Sequence, residues 1–166
     1  MDGRSIPDPG FAGDHGEPGA ALAAALAAYA AGSGSQVDAL AAVRESRLLV
    51  PVVAVLGEVE HDERGLAHDK TSDMATVLMQ GRDGRTALLA FSSTRSLQAW
   101  KADARPVPVT VATAAAAAVQ DGADAVLVDV AGPATFVVEG QDLEGLAQGW
   151  TLARVGGRSA WVTPGE

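Results

Sequence analysis

Residues 125–130 read Ala-Val-Leu-Val-Asp-Val, an aliphatic run that is interrupted by a single carboxylate. The run is long enough for a strand that is buried on both faces of a sheet. An alanine-rich stretch precedes it, and we expect a helix over 113–121 that stops at Gly122. Gly-Pro at 132–133 then turns the chain into a second extended run, 135–138. This part of the chain therefore predicts a helix, a buried strand, a turn and another strand.

Further strands are indicated upstream. Residues 48–56 are aliphatic and predict a buried strand in which Pro51, lacking an N–H, leaves one side unpaired or bulged. Two β-rich runs, 73–80 and 85–92, flank the sequence Gly-Arg-Asp-Gly, which is typical of a hairpin turn. The segment 106–111 contains two prolines, which restrict it to an edge or irregular strand.

Four more helices follow from apolar spacing and from capping residues at their ends. They are expected over 20–31, from Ser35 to about Ser46, from Ser93 or Thr94 to Trp100, and over 142–148.

The order of these elements decides the fold class. Strands and helices alternate, but without a strict βαβ period, which argues against a doubly wound nucleotide-binding fold. We therefore predict an α+β (or mixed α/β) domain in which a mixed β-sheet of about five to six strands packs with helices. Residues 150–163 form two short alternating runs around Gly156 and Gly157, which predicts a C-terminal hairpin.

The N-terminus differs in composition from the rest of the chain. Residues 1–19 are rich in glycine, proline and acids and predict a flexible N-terminal arm, with a single globular domain over 20–166. The alanine-rich run 20–31 lacks the basic start of a secretory signal and is too short to span a bilayer. We accordingly expect a cytoplasmic protein with no membrane association.

Charge and cysteine content exclude several function classes. The chain has 166 residues, 12 Lys+Arg against 21 Asp+Glu, and no cysteine. A formal charge of −9 disfavours nucleic acid and anionic membranes as partners, because like charges repel. The absence of cysteine removes disulfides, thiolate catalysis and Cys-ligated metal sites.

Several phrases of the sequence, taken in order, resemble one known family. They are Ser72-Asp73-Met74-Ala75, Asp83-Gly84-Arg85, Ala87-Leu88-Leu89-Ala90-Phe91-Ser92-Ser93, Ala104-Arg105-Pro106-Val107-Pro108-Val109, Leu127-Val128-Asp129-Val130-Ala131-Gly132-Pro133 and Phe136-Val137-Val138. Over roughly residues 35–150 the chain resembles the N-terminal domain of the SseB family, named for enhanced serine sensitivity, in its actinobacterial type. The resemblance implies a small mixed α/β domain without an established reaction.

Five polar residues are candidates for contact with a ligand or partner. Lys70 and Ser72 offer donors to a carboxylate, and Asp73 offers an acceptor to an amine. A surface ion pair of Lys70 with Asp69 or Asp73 explains the same residues. Arg105 either pairs with Asp103 or binds an acidic group.

Asp129 stands alone among apolar residues near the end of a buried strand. Open α/β sheets commonly place ligand contacts at that position. A buried carboxylate must find donors in any case, so a structural role in accepting backbone amides around Gly132 is the alternative.

Catalytic and metal signatures are weak. His61 and His68 lie in the acidic segment 57–72 at a spacing that fits no common metal motif. No GxSxG nucleophile elbow and no glycine-rich phosphate loop occurs. We expect no metal, no cofactor and no catalytic residue.

Three function classes follow from the sequence. The first is a non-catalytic protein-interaction module, the second a small-molecule binding regulator, with an amino acid as one candidate ligand, and the third an uncharacterised hydrolase. A concave pocket with convergent polar groups would favour the second, and an apolar surface patch would favour the first. A base within hydrogen-bond reach of a nucleophile would favour the third. A homodimer is left open.

Overall fold

The computed structural model describes residues 11–54 and 74–165, and within these ranges it contains both helices and strands. The helices are Ala20–Ala30 (α1), Gln36–Arg44 (α2), Thr94–Trp100 (α3), Val111–Gln120 (α4) and Gly140–Gln148 (α5). The strands are Arg47–Ala54 (β1), Met74–Thr76 (β2), Leu78–Gln80 (β3), Thr86–Ala90 (β4), Arg105–Thr110 (β5), Ala125–Val128 (β6), Phe136–Glu139 (β7), Thr151–Val155 (β8) and Arg158–Val162 (β9). None of the described helices is long and apolar enough to cross a membrane.

The strands form two connected sheets and a separate hairpin. One sheet has the order β3-β4-β6-β7, in which β4 and β6 are parallel, and the other has the antiparallel order β2-β1-β5. Leu49 in β1 and Phe91 after β4 exchange both backbone hydrogen bonds, at 2.7 and 2.8 Å, which joins the two sheets. The α+β class and the C-terminal hairpin β8-β9 are confirmed, with the strands divided between two sheets.

The prolines of β1 and β5 lie at positions where the sheet does not require a backbone N–H donor. Pro51 faces Pro106 across the β1-β5 pair, and on its other side the pairing with β2 begins only at Val52. One side of β1 is therefore unpaired at Pro51, as the sequence predicts. β5 is the edge strand of its sheet, again as expected.

The core is divided by the four-stranded sheet. One face packs against α1, α2, α4 and α5 in a large cluster that includes Leu40, Val128 and Leu143. The other face carries a small cluster that includes Leu89 and Phe91. Val53, Leu89, Leu127 and Val128 all lie in aliphatic runs with strand character, which predicts that they share one core. This prediction is wrong for Leu89 and Leu127, which belong to the small cluster, whereas Val128 belongs to the large one. The Val53 side chain lies outside the described residues.

Two helices begin earlier than predicted. α4 starts at Val111 instead of Thr113 because the Thr110 hydroxyl caps it, accepting from the Thr113 amide at 3.1 Å. α5 starts at Gly140 instead of Asp142. The predicted cap Ser35 is confirmed, and of the alternatives Ser93 and Thr94 the cap of α3 is Ser93; both serines form reciprocal capping boxes.

The C-terminal hairpin packs on α5. The Asp142 carboxylate accepts from the Trp161 indole N–H at 2.9 Å and from the Ser159 hydroxyl at 3.1 Å. Gly145 is buried against the Trp161 ring, and a Cβ at this position would overlap the indole. The hairpin is therefore fitted to the face of this helix.

The Arg154–Asp38 ion pair ties the hairpin to α2 and gives a prediction about pH. Hydrogen bonds from Arg154 and Ser35 lower the pKa of Asp38 from 3.8 to about 2. A carboxyl group whose pKa is lower in the folded than in the unfolded protein stabilises the fold at a pH above its unfolded-state pKa. This stabilisation is lost as the pH falls through the folded-state pKa. We expect the Asp38 carboxyl to titrate near 2 by NMR, and to shift upward in Arg154→Ala. A midpoint that stays unchanged in this variant would show that the ion pair does not form.

Candidate functional site

A pocket of about 580 Å³ lies between α1, α3 and the turn that follows β6. It adjoins the carboxyl ends of β4 and β6, whose parallel pairing brings Ser92 and Asp129 together. Its polar lining consists of Ser92, Ser93, Ser96, Arg95 and Asp129. The remaining lining is aliphatic and comes from Pro18, Ala23, Leu26, Ala27, Ala99, Ala131, Gly132, Pro133 and Ala134.

Asp129 closes the inner wall of this pocket. Its carboxylate is buried and accepts from the Ser92 amide at 2.8 Å and from the Ser92 hydroxyl at 2.6 Å. The predicted acceptance of amides around Gly132 is wrong for the side chain, since the Gly132 amide donates to the backbone carbonyl of Asp129 at 2.9 Å. Asp129 has φ +57°, a left-handed conformation that aspartate tolerates better than most residues. The carboxylate thus holds the ends of the two parallel strands together.

A second wall is formed by the first turn of α3. Ser93 and Ser96 are both buried and hydrogen-bond to each other through the capping box. Arg95 lies between them in sequence and is exposed, and it also lines the pocket. Within residues 11–54 and 74–165, no carboxylate lies within ion-pair distance of its guanidinium. The pocket therefore presents a guanidinium without an acidic partner in the described chain.

Residues 14–18 form a segment, here called the strap, that lies beside the pocket. Arg47 donates to the Asp14 carboxylate and to the Glu17 carbonyl, both at 2.7 Å, and to the Ser92 carbonyl at 3.0 Å. The Gly16 carbonyl accepts from the Thr94 amide at 2.8 Å, and Pro18 lines the pocket. The strap belongs to the predicted arm 1–19, and an arginine distant in sequence supplies two of its hydrogen-bond partners. Residues 1–10 lie outside the described chain.

The role of Arg47 in fastening the strap is testable by hydrogen exchange. The Thr94 amide is the first of α3 and has no partner within its helix, so the strap carbonyl protects it. We expect Arg47→Ala to speed exchange of this amide by about tenfold or more, the equivalent of about 1.4 kcal/mol of lost docking energy. Arg44→Ala, which removes a surface pair with Glu45, is the matched control and should leave Thr94 unchanged. Equal exchange in both variants would show that Arg47 does not hold the strap.

The structure describes two of the five candidate residues, and one of these two lies in the pocket. Asp129 lines it, whereas Arg105 is exposed on the edge strand β5, outside the pocket. Asp103, the pairing partner considered for Arg105, lies 3.6 Å from the Lys101 ammonium. Lys70, Ser72 and Asp73, together with the acidic segment 57–72, lie outside the described residues.

Sequence reasoning missed Arg95 and the serines as pocket residues. The available signal was the pair Ser92-Ser93 directly after a buried strand, because a parallel partner for 125–130 would place both strand ends at one edge. Arg95 carried no signal of its own, since an arginine in the first turn of a helix ordinarily faces solvent.

Comparison with known proteins identifies the family. No match is found among curated proteins or among solved structures. The family described as SseB protein N-terminal domain matches residues 22–145, which include most of α1, both sheets and most of the pocket lining. The match covers well over half of the chain and agrees with the resemblance read from the sequence, so the chain belongs to the SseB N-terminal domain family.

Proposed function

We propose that this domain is a non-catalytic binding domain whose ligand is a small molecule held in the pocket between α1 and α3. The observation that carries the proposal is the concave site of about 580 Å³ onto which serine hydroxyls, a guanidinium and a buried carboxylate converge. Its size lies within the usual range of small-molecule sites, about 300–1,000 Å³. An amino acid is one candidate ligand, following the phenotype in the family name.

The polar groups support binding more than they support bond cleavage. The Ser92 hydroxyl donates to Asp129 at 2.6 Å, and both residues are buried. This contact brings a hydroxyl and a base within hydrogen-bond reach, which is the feature that the hydrolase alternative requires. The same carboxylate also accepts from the Ser92 backbone amide, and the Ser93 hydroxyl is engaged with Ser96, so the contacts of these serines fit a structural role better.

Binding can be tested with the twenty amino acids by titration into the full chain labelled with ¹⁵N. The proposal predicts saturable shifts of the Ser92, Ser93 and Gly132 amides with at least one member of the panel. Arg95→Gln should weaken that binding, whereas Arg105→Gln removes an exposed arginine outside the pocket and should not. Shifts that spread over the surface without saturating would contradict the proposal.

A protein-interaction role is the second candidate and rests on the other face of the four-stranded sheet. Met79, Leu127 and Val137 are only partly buried there and line a depression of about 240 Å³. Val137 is 36% exposed. Partly exposed apolar groups on one sheet face suit contact with another protein.

This second candidate is most simply tested as self-association. If a second copy covers the face, sedimentation velocity should show a dimer that Val137→Asp converts to monomer. Val119→Asp, at an exposed position of α4, is the control and should leave the dimer intact. A monomer at all concentrations would exclude this form of the interaction.

Three further properties remain predictions from the sequence. We expect a cytoplasmic protein, of the actinobacterial type within its family, that does not bind nucleic acid. The formal charge of −9 supports the last of these.

A further inference from the structure

We propose that the pocket ligand is an aliphatic carboxylate that has no neighbouring ammonium group, with its carboxylate on Arg95 and its hydrocarbon body against α1. This inference rests on the proposed function and names its ligand class. It is carried by the charges in the pocket and by the chemistry of its two walls.

The carboxylate of Asp129 is already engaged within the protein. Both of its carboxylate oxygens accept from Ser92, and the group is only 4% exposed. An ammonium group of a ligand would therefore have to compete with a buried hydrogen-bonded pair for the carboxylate.

Arg95 is in the opposite situation. It is exposed, it lines the pocket, and no carboxylate in the described part of the chain pairs with it. A guanidinium binds a carboxylate through two parallel hydrogen bonds, which gives both energy and orientation. Among the residues that the structure describes, the charge that the pocket lining offers to a ligand is thus positive.

The pocket wall opposite α3 determines which non-polar group of a ligand fits. Ala23, Leu26 and Ala27 of α1 present small aliphatic surfaces, and Pro18 and Pro133 extend them. The pocket lining contributed by the described residues includes no aromatic ring. Methyl and methylene groups gain contact area on such a wall, whereas a flat ring finds no stacking partner.

Three six-carbon probes test whether the pocket prefers a carboxylate, a neutral amide or a zwitterion. They share one hydrocarbon body, so a difference in affinity reports on the polar group alone. Hexanoate carries the carboxylate alone, hexanamide is its neutral counterpart, and norleucine adds an α-ammonium group. Each would be titrated into the full ¹⁵N-labelled chain at low salt, following the amides of Ser92, Ser93, Ser96 and Gly132. Low salt is used because screening weakens an exposed charge pair.

The expected result is saturable binding of hexanoate that is about tenfold tighter than that of hexanamide or norleucine, as suits a charge-assisted bidentate contact. Arg95→Gln should reduce hexanoate affinity to that of hexanamide, and Arg105→Gln should not. Hexanamide binding as tightly as hexanoate would overturn the proposal while leaving the pocket a small-molecule site. Tighter binding of norleucine would overturn it in favour of a zwitterionic ligand.

The failure of the inference can be distinguished from the failure of the proposed function. If none of the three probes shifts the pocket amides, the aliphatic carboxylate class is wrong. Saturable binding of a member of the amino-acid panel would then leave the pocket a small-molecule site for another ligand class. The absence of saturable shifts with both the three probes and the amino acids would contradict the proposed function as well.

Discussion

Val128→Asp is expected to abolish soluble expression of the protein. Val128 is fully buried in β6, where it pairs with Ala90 on one side and Phe136 on the other, in the large core cluster. A carboxylate at this position has no partner, and burying it costs several kcal/mol against a total stability of about 5–15 kcal/mol. Solubility in the cell and thermal melting of any purified protein are the measurements.

The control for this prediction is Val155→Asp. Val155 also lies in a strand but is 65% exposed, so the same change should leave expression and melting nearly unaltered. Normal melting of Val128→Asp would place this side chain at the surface and contradict the packing of the sheet.

Asp129→Ala should be the most damaging change within the pocket wall. It leaves the buried amide and hydroxyl of Ser92 without an acceptor, each worth about 1–3 kcal/mol, and it places alanine at φ +57°. We expect a loss of about 3 kcal/mol or more in the free energy of unfolding, measured by urea denaturation.

Asp129→Asn separates the hydrogen bonds from the charge. Asparagine keeps an acceptor for the Ser92 amide and tolerates the left-handed conformation, so its loss should be clearly smaller. If alanine and asparagine cost the same, the carboxylate is not the acceptor that joins β4 to β6.

The local elements were predictable because their signals lie within a few residues of each other. The Gly-Arg-Asp-Gly turn indicated the β3-β4 hairpin, and Ser35 and Ser93 indicated the starts of α2 and α3. The early start of α4 also has a local cause, since Thr110 and not a later residue caps this helix. Short-range chemistry thus determined the secondary structure.

The pocket could be predicted only in part because it depends on contacts between distant segments. Asp129 was identifiable as a lone carboxylate in an aliphatic run, but its partner Ser92 lies 37 residues away. Arg47 gave no signal, since its contacts with the strap cross about 30 residues. The alternation of side chains along a strand already places Leu127 and Val128 on opposite faces of the sheet. The parallel pairing of β4 with β6, which crosses a long stretch of sequence, then places Leu89 on the same face as Leu127.

The fit of the C-terminal hairpin to α5 bears on where this domain should be cut. The family match ends at residue 145, the glycine on which the Trp161 ring lies. A fragment designed on that limit would end inside α5 and would remove the partners of Asp142. Leu146, which is buried in the large cluster, would be lost as well. The smallest piece that retains the whole core therefore extends through Val162, the end of β9.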